Sequence, residues 1–486
     1  MSKFVGIDEF RAENGNYSLL PFRFESIDFE NIVVTNSVGE FVIMGRDKLD
    51  PLVEKSLPSN DPDYVALRRI QVLKEPSDYW ALSLLALKTR TRLLPLRNFT
   101  NLHIFVVSLR CDHSCQYCQV SRQSDNKLAY DMSEGTANKA LDMVFRSPNE
   151  AIKIEFQGGE PLLNFELIRY VVEKAEERNQ IEQRDLQFVI ATSLSLATND
   201  ILEYCRDHHI YLSSSLDGPA DLHNKNRPRP GRDSHERFSD GLRRARDIVG
   251  YDAVSALMTT SPASMTRVTD IIDEYLRFGF DSIFLRHLSP YGFAVKTKSY
   301  QAYNAERWLQ FYKEGVEYIL DLNRKGIRFV EHYSTIILTK MFAVNDPGFV
   351  DLKNPAGVGI AAVVFNYDGD VYASDESRML HEMGDSSFRM GNLHENTYKE
   401  IFTSDALLSA LEDSFTLSAP MCSDCAFESW CGADPVFHHA TFGDMLGRKP
   451  ESEFCKRTMG IIRYLLDKIR NDTEALEIFK RWVNKC

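Results

Sequence analysis

From His103 to Ser289, short apolar runs alternate with amphipathic helical stretches, and this alternation limits the fold more than any other feature of the chain. The runs read as strands are His103–Leu109, Ile152–Phe156, Gln187–Ala191, Tyr211–Leu216, Val254–Thr259 and Ser282–His287. The helical stretches between them include Ser133–Arg146 with Ser133 as N-cap, Phe165–Arg178, Asn199–His208 and Met265–Phe278. Repeated β/α units imply a parallel sheet with right-handed crossovers, and so an α/β class. Ligands of such sheets bind at the C-terminal ends of the strands.

The chemistry-bearing residues fall at those ends. Cys111, Cys115 and Cys118 follow the first strand in a C-x3-C-x2-C loop. Three thiolates are one short of the four that close a cubane iron–sulfur cluster, which leaves one iron open to another ligand. A zinc knuckle or redox group is the competing reading, but zinc sites prefer C-x2-C pairs with a fourth Cys or His nearby. Only His113, inside the tight loop, stands close in sequence. After the second strand comes Gln157-Gly158-Gly159-Glu160-Pro161, in which two glycines permit close approach to the backbone. Glu160 then offers a carboxylate for a charge-assisted bond to an ammonium.

Together these residues resemble the radical S-adenosylmethionine (SAM) superfamily. The resemblance implies that Cys111, Cys115 and Cys118 hold a [4Fe–4S] cluster whose open iron is chelated by SAM. Gly158, Gly159 and Glu160 then correspond to the element that holds the SAM amino group. An electron from the cluster would break the sulfonium to give a 5′-deoxyadenosyl radical. Tyr117 occupies a position that lies near the adenine in that superfamily. Ser215-Leu216-Asp217-Gly218-Pro219, with His223 and Arg227, resembles an element of SAM-dependent peptide and sulfatase maturases. By that likeness Ser215, Asp217 and Arg227 are expected to line the cofactor, although an Asp-Gly-Pro strand end is also an ordinary turn.

A second thiol set lies far downstream, Cys422-x2-Cys425-x5-Cys431 with Cys455 beyond it. Four thiolates make a closed site, either zinc or an iron–sulfur cluster. Behind a radical-SAM barrel the pattern resembles the SPASM extension, which carries auxiliary clusters. Ala361–Tyr367 and Asp370–Tyr372, around Asp368-Gly369, match its opening hairpin, Asp-Gly being a strong turn signal. Gly391-Asn392-Leu393 and Tyr398–Phe402 follow its usual course. One family cysteine position holds Pro435, and another is replaced around Ser374-Asp375-Glu376. The resemblance therefore implies one auxiliary [4Fe–4S] cluster rather than two. Asp375 is a candidate ligand for a degenerate second site. Cys205 reads as packing and Cys486 as a free thiol.

The fold expected is α/β: a partial (β/α)6 radical-SAM barrel, an N-terminal winged-helix-like α+β domain and a SPASM-like C-terminal extension. The expected boundaries are 1–95, 96–295, 296–357 for bridging helices, and 358–486. In the bridge, Asn304–Arg324 and Ser334–Phe342 read as helices, with Trp308, Phe311 and Tyr312 as packing. The first segment shows a hairpin, Asn31–Thr35 and Glu40–Met44, then helical stretches Asp47–Lys55, Asp61–Val72 and Ser77–Arg90. It resembles leader-peptide-binding domains of ribosomal-peptide maturases, which capture a strand at a sheet edge; a structural cap on the barrel is the alternative. Leu19–Phe24 and Ser374–Leu380 also resemble the B-type radical-SAM maturase of His-Xaa-Ser peptide systems.

At 486 residues with a net charge of −13, the chain lacks the basic balance of a nucleic-acid binder. No apolar run reaches a membrane span and no signal-peptide core opens the chain, so a cytoplasmic location is expected. Nine cysteines in such a chain point to metal rather than disulfides. The resemblance implies an enzyme acting on a ribosomally made precursor peptide, with a flavodoxin- or ferredoxin-like reductant and a second radical-SAM maturase as further partners. Sulfatase maturation to formylglycine, and a non-catalytic peptide-binding role beside a second maturase, are the alternatives.

Overall fold

A computed structural model describes residues 17–343, 346–348, 350–354 and 356–484. Cys486 lies outside them. The main sheet has eight strands, in the order Val254–Leu257, Ile210–Ser215, Asp185–Ala191, Ala151–Gly158, Leu102–Ser108, Ala362–Phe365, Asp370–Tyr372 and Arg389–Asn392. The first five in that order are the parallel strands expected from the alternation, in reverse chain order. Helices Glu134–Val144, Phe165–Glu182, Asn199–Asp207 and Ser234–Ile248 connect them. Ser133 caps the first by accepting from the Thr136 N–H.

The sixth strand departs from expectation. Only Ser282–Ile283 is extended, and it pairs with Val330–Glu331 in a separate two-stranded sheet. Beyond it the Leu285 N–H is taken by the Glu331 carboxylate (3.2 Å), and Arg286 N–H turns back to Phe284 C=O (2.7 Å). Side-chain and local bonds thus replace a ladder, and the chain leaves the sheet.

The place beside the first barrel strand goes instead to the C-terminal extension. Ala362–Phe365 pairs parallel with Leu102–Phe105, and its hairpin partner Asp370–Tyr372 returns through the Asp368-Gly369 turn. Gly369 takes a positive φ of 91° there, as such a turn requires. The extension and barrel consequently share one sheet and one apolar core, which also takes in the bridging helices Ala305–Arg324 and His332–Phe342. Trp308, Phe311 and Tyr312 are fully buried in it.

The N-terminal segment folds as an antiparallel sheet ordered Phe22–Ser26, Asn31–Asn36, Phe41–Gly45, with helices Pro62–Arg69 and Ala81–Leu93. Phe22–Ser26 is an added strand that the sequence reading did not assign. The expected helix at Asp47–Lys55 is a 3-10 turn, Arg46–Lys48, running into Leu49–Val53. The central strand is buried on both faces: Ile32 and Val34 enter a small local core, and Val33 joins the large one. Thr35 donates to Ala426 C=O (3.1 Å), and Trp430 Nε1 donates to Gly39 C=O (2.9 Å). These bonds seat the sheet on the extension's thiol-bearing segment.

Candidate active site

The cysteine loop and the glycine turn meet where their strands end. The N–H groups of Gly159 and Glu160 donate to the carbonyls of Ser108 (2.8 Å) and Arg110 (2.7 Å). A Cβ on Gly158 would stand 1.9 Å from the Ser108 oxygen, and one on Gly159 would stand 2.2 Å from the Arg110 oxygen. The crowding that demands these glycines therefore comes from the chain's own backbone, at the root of the thiol loop. Arg110 is locked there by Asp131 (2.7 Å) and Leu163 C=O (2.8 Å).

Glu160 is 1% exposed, and its carboxylate accepts from Leu162 N–H (3.2 Å), Thr192 Oγ1 (2.6 Å), Ser193 N–H (2.9 Å) and Ser193 Oγ (2.7 Å). All of these donors are neutral. Burial raises its pKa against the pull of Thr192 and Ser193. A buried carboxylate held by neutral donors among the described residues, beside a thiol loop, fits the ammonium of SAM. Thr192, Ser193 and Ser195 were missed in the sequence. The available signal was a Thr-Ser-x-Ser run directly after the third strand. Ser195 extends the network to Asp112 (2.6 Å), which also holds His113 Nδ1 (2.7 Å).

Opposite lies a second group. Tyr117 Oη donates to Asp217, whose two oxygens also accept from Arg227 Nε (3.1 Å) and Nη2 (3.2 Å). The guanidinium lies 5.5 Å from the Tyr117 ring centroid. Burial would raise the Asp217 pKa, but Arg227 and then His223 outweigh it and hold the carboxyl below its ordinary range. His223 is buried and pushed down to about 3 by desolvation, and its Nδ1 accepts the Asp217 N–H (3.3 Å). The structure thus brings Tyr117, Asp217 and Arg227 together. Ser215 ends its strand half-buried, paired in register with Leu257.

Cys111, Cys115 and Cys118 are half-buried on the loop. Burial raises the Cys111 thiol, and Glu160 and Cys115 add to it; burial likewise pushes Cys115 up to about 12. Thiols so disfavoured as free thiolates fit ligation to a cationic iron centre.

The downstream thiols also converge. Burial and mutual repulsion raise the pKa values of Cys425, Cys431 and Cys455, and Cys422, Cys431 and Cys455 line one cavity with His438 and Lys449. Among the described residues, the groupings whose ligand atoms all lie within 4.8 Å are Cys111–Asp112–His113 and Asp368–Asp370–His381, not these four thiols. Pro435 opens the helix Pro435–Phe442, capped by Asp434, a position where proline's missing N–H costs no helical hydrogen bond. Ser374 caps another helix, and Asp375 accepts from buried Arg378 (3.0 Å). Cys205 is fully buried on its helix, as packing requires.

No helix among the described residues is long and apolar enough to cross a membrane. Residues 105–286 match the family model of the radical SAM superfamily. The chain is 25% identical over 340 residues to a cysteine-type anaerobic sulfatase-maturating enzyme of Clostridium perfringens, covering 66% of this chain and 84% of that protein. It is 29% identical over 188 residues to an uncharacterized protein of Methanocaldococcus jannaschii, covering 38% of this chain and 62% of that one, less than two thirds of its length. It is 26% identical over 131 residues to the radical SAM cyclopropyl synthase TigE of Paramaledivibacter caminithermalis, covering 24% and 27%. In fold it is similar to anSMEcpe with bound AdoMet (TM-score 0.62, 16% identity, 78% of this chain and 100% of that one). It is also similar to Streptococcus suis SuiB bound to precursor peptide SuiA (TM-score 0.54, 13% identity, 90% and 99%). The Cys111–Cys118 loop, Glu160 and the Tyr117–Asp217–Arg227 group all fall within residues 105–286, the part of the chain that matches the radical SAM superfamily.

Proposed function

We propose that this chain modifies a ribosomally made peptide, in a system of the His-Xaa-Ser type. The observation that carries the reading is the convergence of the Cys111–Cys118 loop, Glu160 and the Tyr117–Asp217–Arg227 group at one end of the parallel sheet, with a second thiol set on the extension sharing that sheet. The likeness to proteins solved with a precursor peptide or carrying a sulfatase-maturating name supports a polypeptide substrate.

When bound, a [4Fe–4S] cluster and SAM supply a 5′-deoxyadenosyl radical able to take hydrogen from a side-chain or α carbon. The chain's own residues bind, orient and shield. Cys111, Cys115 and Cys118 would hold the first cluster, and Cys422, Cys425, Cys431 and Cys455 an auxiliary one. Glu160, fixed by Thr192 and Ser193, would hold the ammonium. Gly158 and Gly159 set the distance between that carboxylate and the thiol loop. Tyr117 is kept in one rotamer by Asp217, and Asp217 by Arg227, so that wall is preorganised before any ligand enters. Ser215 lines the same strand end.

The N-terminal sheet would capture the leader by strand addition. Its Phe22–Ser26 edge is tied to the extension through Arg23–Glu428 (3.2 Å) and Glu25–Arg463 (3.0 Å), which leaves Phe41–Gly45 as the receiving edge. A flavodoxin- or ferredoxin-like reductant and a second maturase complete the expected partners.

Anaerobic reconstitution tests the reading. The reduced protein should release 5′-deoxyadenosine from SAM and change the mass of a precursor peptide encoded beside it. Conversion of a sulfatase peptide to formylglycine in place of that change would establish the alternative, and absence of 5′-deoxyadenosine would make the chain a binding partner only.

A further inference from the structure

The hairpin that opens the C-terminal extension carries ligating side chains that neither thiol set uses. Asp368, Asp370 and His381 each place a ligand atom within 4.8 Å of the others. The two aspartates flank Gly369 in the turn, and His381 ends the helix Asp375–His381 that follows the second strand. Ser386 Oγ holds His381 Nδ1 (2.8 Å), and the ring packs on Tyr372 with centroids 5.2 Å apart. The imidazole is thereby oriented through one nitrogen with Nε2 left as a ligand atom, the arrangement that metal-binding histidines use.

A fourth residue points to a ligand independently. The pairs Val364↔Tyr372 and Phe365↔Val371 continue to Asn366 and Asp370, so the Asn366 side chain stands on the face of the hairpin that carries Asp370 and Tyr372. Asn366 is 0% exposed; its Nδ2 donates to Asp368 Oδ1 (3.0 Å), and its Oδ1 has no hydrogen-bond partner. A buried acceptor without a donor is costly, and this one sits beside a carboxylate, where a cation would satisfy both.

Arg389 already touches the group but covers only part of it. Arg389 Nη2 and Asn392 Nδ2 both donate to Asp370 Oδ1 (2.6 and 2.8 Å), whereas Asp370 Oδ2 has only the Tyr372 hydroxyl at 3.3 Å. Asp368 makes no ion pair among the described residues; its Oδ1 also accepts the Asp370 N–H (3.1 Å). No hydrogen bond among the described residues joins His381 to either carboxylate, so the lone pairs that face one another are unspent.

We propose that Asp368, Asp370, His381 and the Asn366 amide oxygen form a site for a divalent cation of the Mn²⁺ class, with water completing its shell. Carboxylates and an amide carbonyl beside one imidazole suit such an ion. The site is separate from both thiol sets and does not rest on the peptide-modifying reading. The ion would clip the hairpin turn to the end of the helix, and the clip reaches the first thiol loop. Next to His381, Glu382 accepts from Gln123 Nε2 (3.2 Å) and Met383 Sδ accepts the Gly292 N–H (3.0 Å). The adjoining Phe293 N–H donates to Cys118 C=O (2.7 Å). An ion that fixes His381 therefore steadies the segments walling Cys118.

The test is Mn²⁺ titration of the iron-loaded protein, followed by loss of the free-ion electron paramagnetic resonance signal. One Mn²⁺ per chain should bind, and Asp368→Asn or His381→Gln should each weaken it about tenfold or more. Pulsed resonance should show an imidazole nitrogen coupled to the ion in the parent and not in His381→Gln. Iron content, read on the same samples, separates ligand loss from misfolding. Asn366→Asp serves as a second variant and should tighten binding by adding charge at the orphaned oxygen. Absence of Mn²⁺ binding to the parent overturns the site. Equal binding by the parent and both iron-loaded ligand variants overturns it too, since the ion would then lie elsewhere, as does weaker binding by Asn366→Asp.

Discussion

Arg227 reaches both oxygens of Asp217, at 3.1 and 3.2 Å, and Asp217 has no exposure to solvent. Ten residues separate them, and the short helix Ala220–Asn226 folds the chain back so that they meet. Breaking a buried pair strands a charge, so Arg227→Gln should cost about 3 kcal/mol. Asp217→Asn in the same chain should restore part of it. Denaturant midpoints of both variants check this; equal stability of Arg227→Gln and the parent would show that Tyr117 and His223 suffice for Asp217.

Gly159→Ala should damage the first thiol site selectively. The added methyl meets the Arg110 carbonyl at 2.2 Å, which is backbone and cannot swing away. Overpacking of this kind costs about 1–3 kcal/mol. Iron at the first site should fall while the second site loads. Full loading of both would mean that the strand end yields without moving Cys111.

Iron counts separate the cofactor readings. The intact protein should hold about eight irons, at four per cubane, and the Cys111, Cys115, Cys118 triple alanine variant about four. That variant should make no 5′-deoxyadenosine. A count near twelve would reveal a third cluster despite Pro435 and Ser374. Four irons plus one zinc would assign zinc to the downstream thiols.

His103 gives a pH signature. It is 1% exposed, and burial holds its pKa down at about 4, below the ordinary histidine value of about 6.5. The unfolded chain takes up the proton first as pH falls, so stability is full above pH 6.5 and declines down to pH 4. Between pH 7 and 5 the loss is about 2 kcal/mol. His103→Gln should lower the pH dependence by that amount in urea titrations, whatever its effect at pH 7. An unchanged slope would mean that the histidine is protonated in the fold.

Leader capture can be tested on the strand edge. Asn36 N–H donates to Glu40 C=O and Arg46 N–H to Glu30 C=O, so even-numbered residues of Phe41–Gly45 bond inward and Ile43 N–H points out. Ile43→Pro removes that donor and blocks an added strand. Peptide modification should then fail while uncoupled SAM cleavage persists. Normal modification by a folded Ile43→Pro protein would make this segment a cap.

Much of this protein is written locally. The β/α alternation, the Ser133 cap, the Asp368-Gly369 turn and the two thiol sets depend on residues a few positions apart, and short-range sterics and hydrogen bonding fix them. Tyr117, Asp217 and Arg227 were each suggested by local motifs. Their mutual bonds were not, because Tyr117 and Asp217 are 100 residues apart in sequence and only the parallel sheet brings them together. Tertiary structure alone decided that Ala362–Phe365 takes the place beside Leu102–Phe105, and that the sixth run stops after Ile283, with Glu331 taking the Leu285 N–H. It also decided where the buried charge falls. Glu160, Thr192 and Ser193 come from two strand ends, and their buried hydrogen bonds form only when packing removes water from between them.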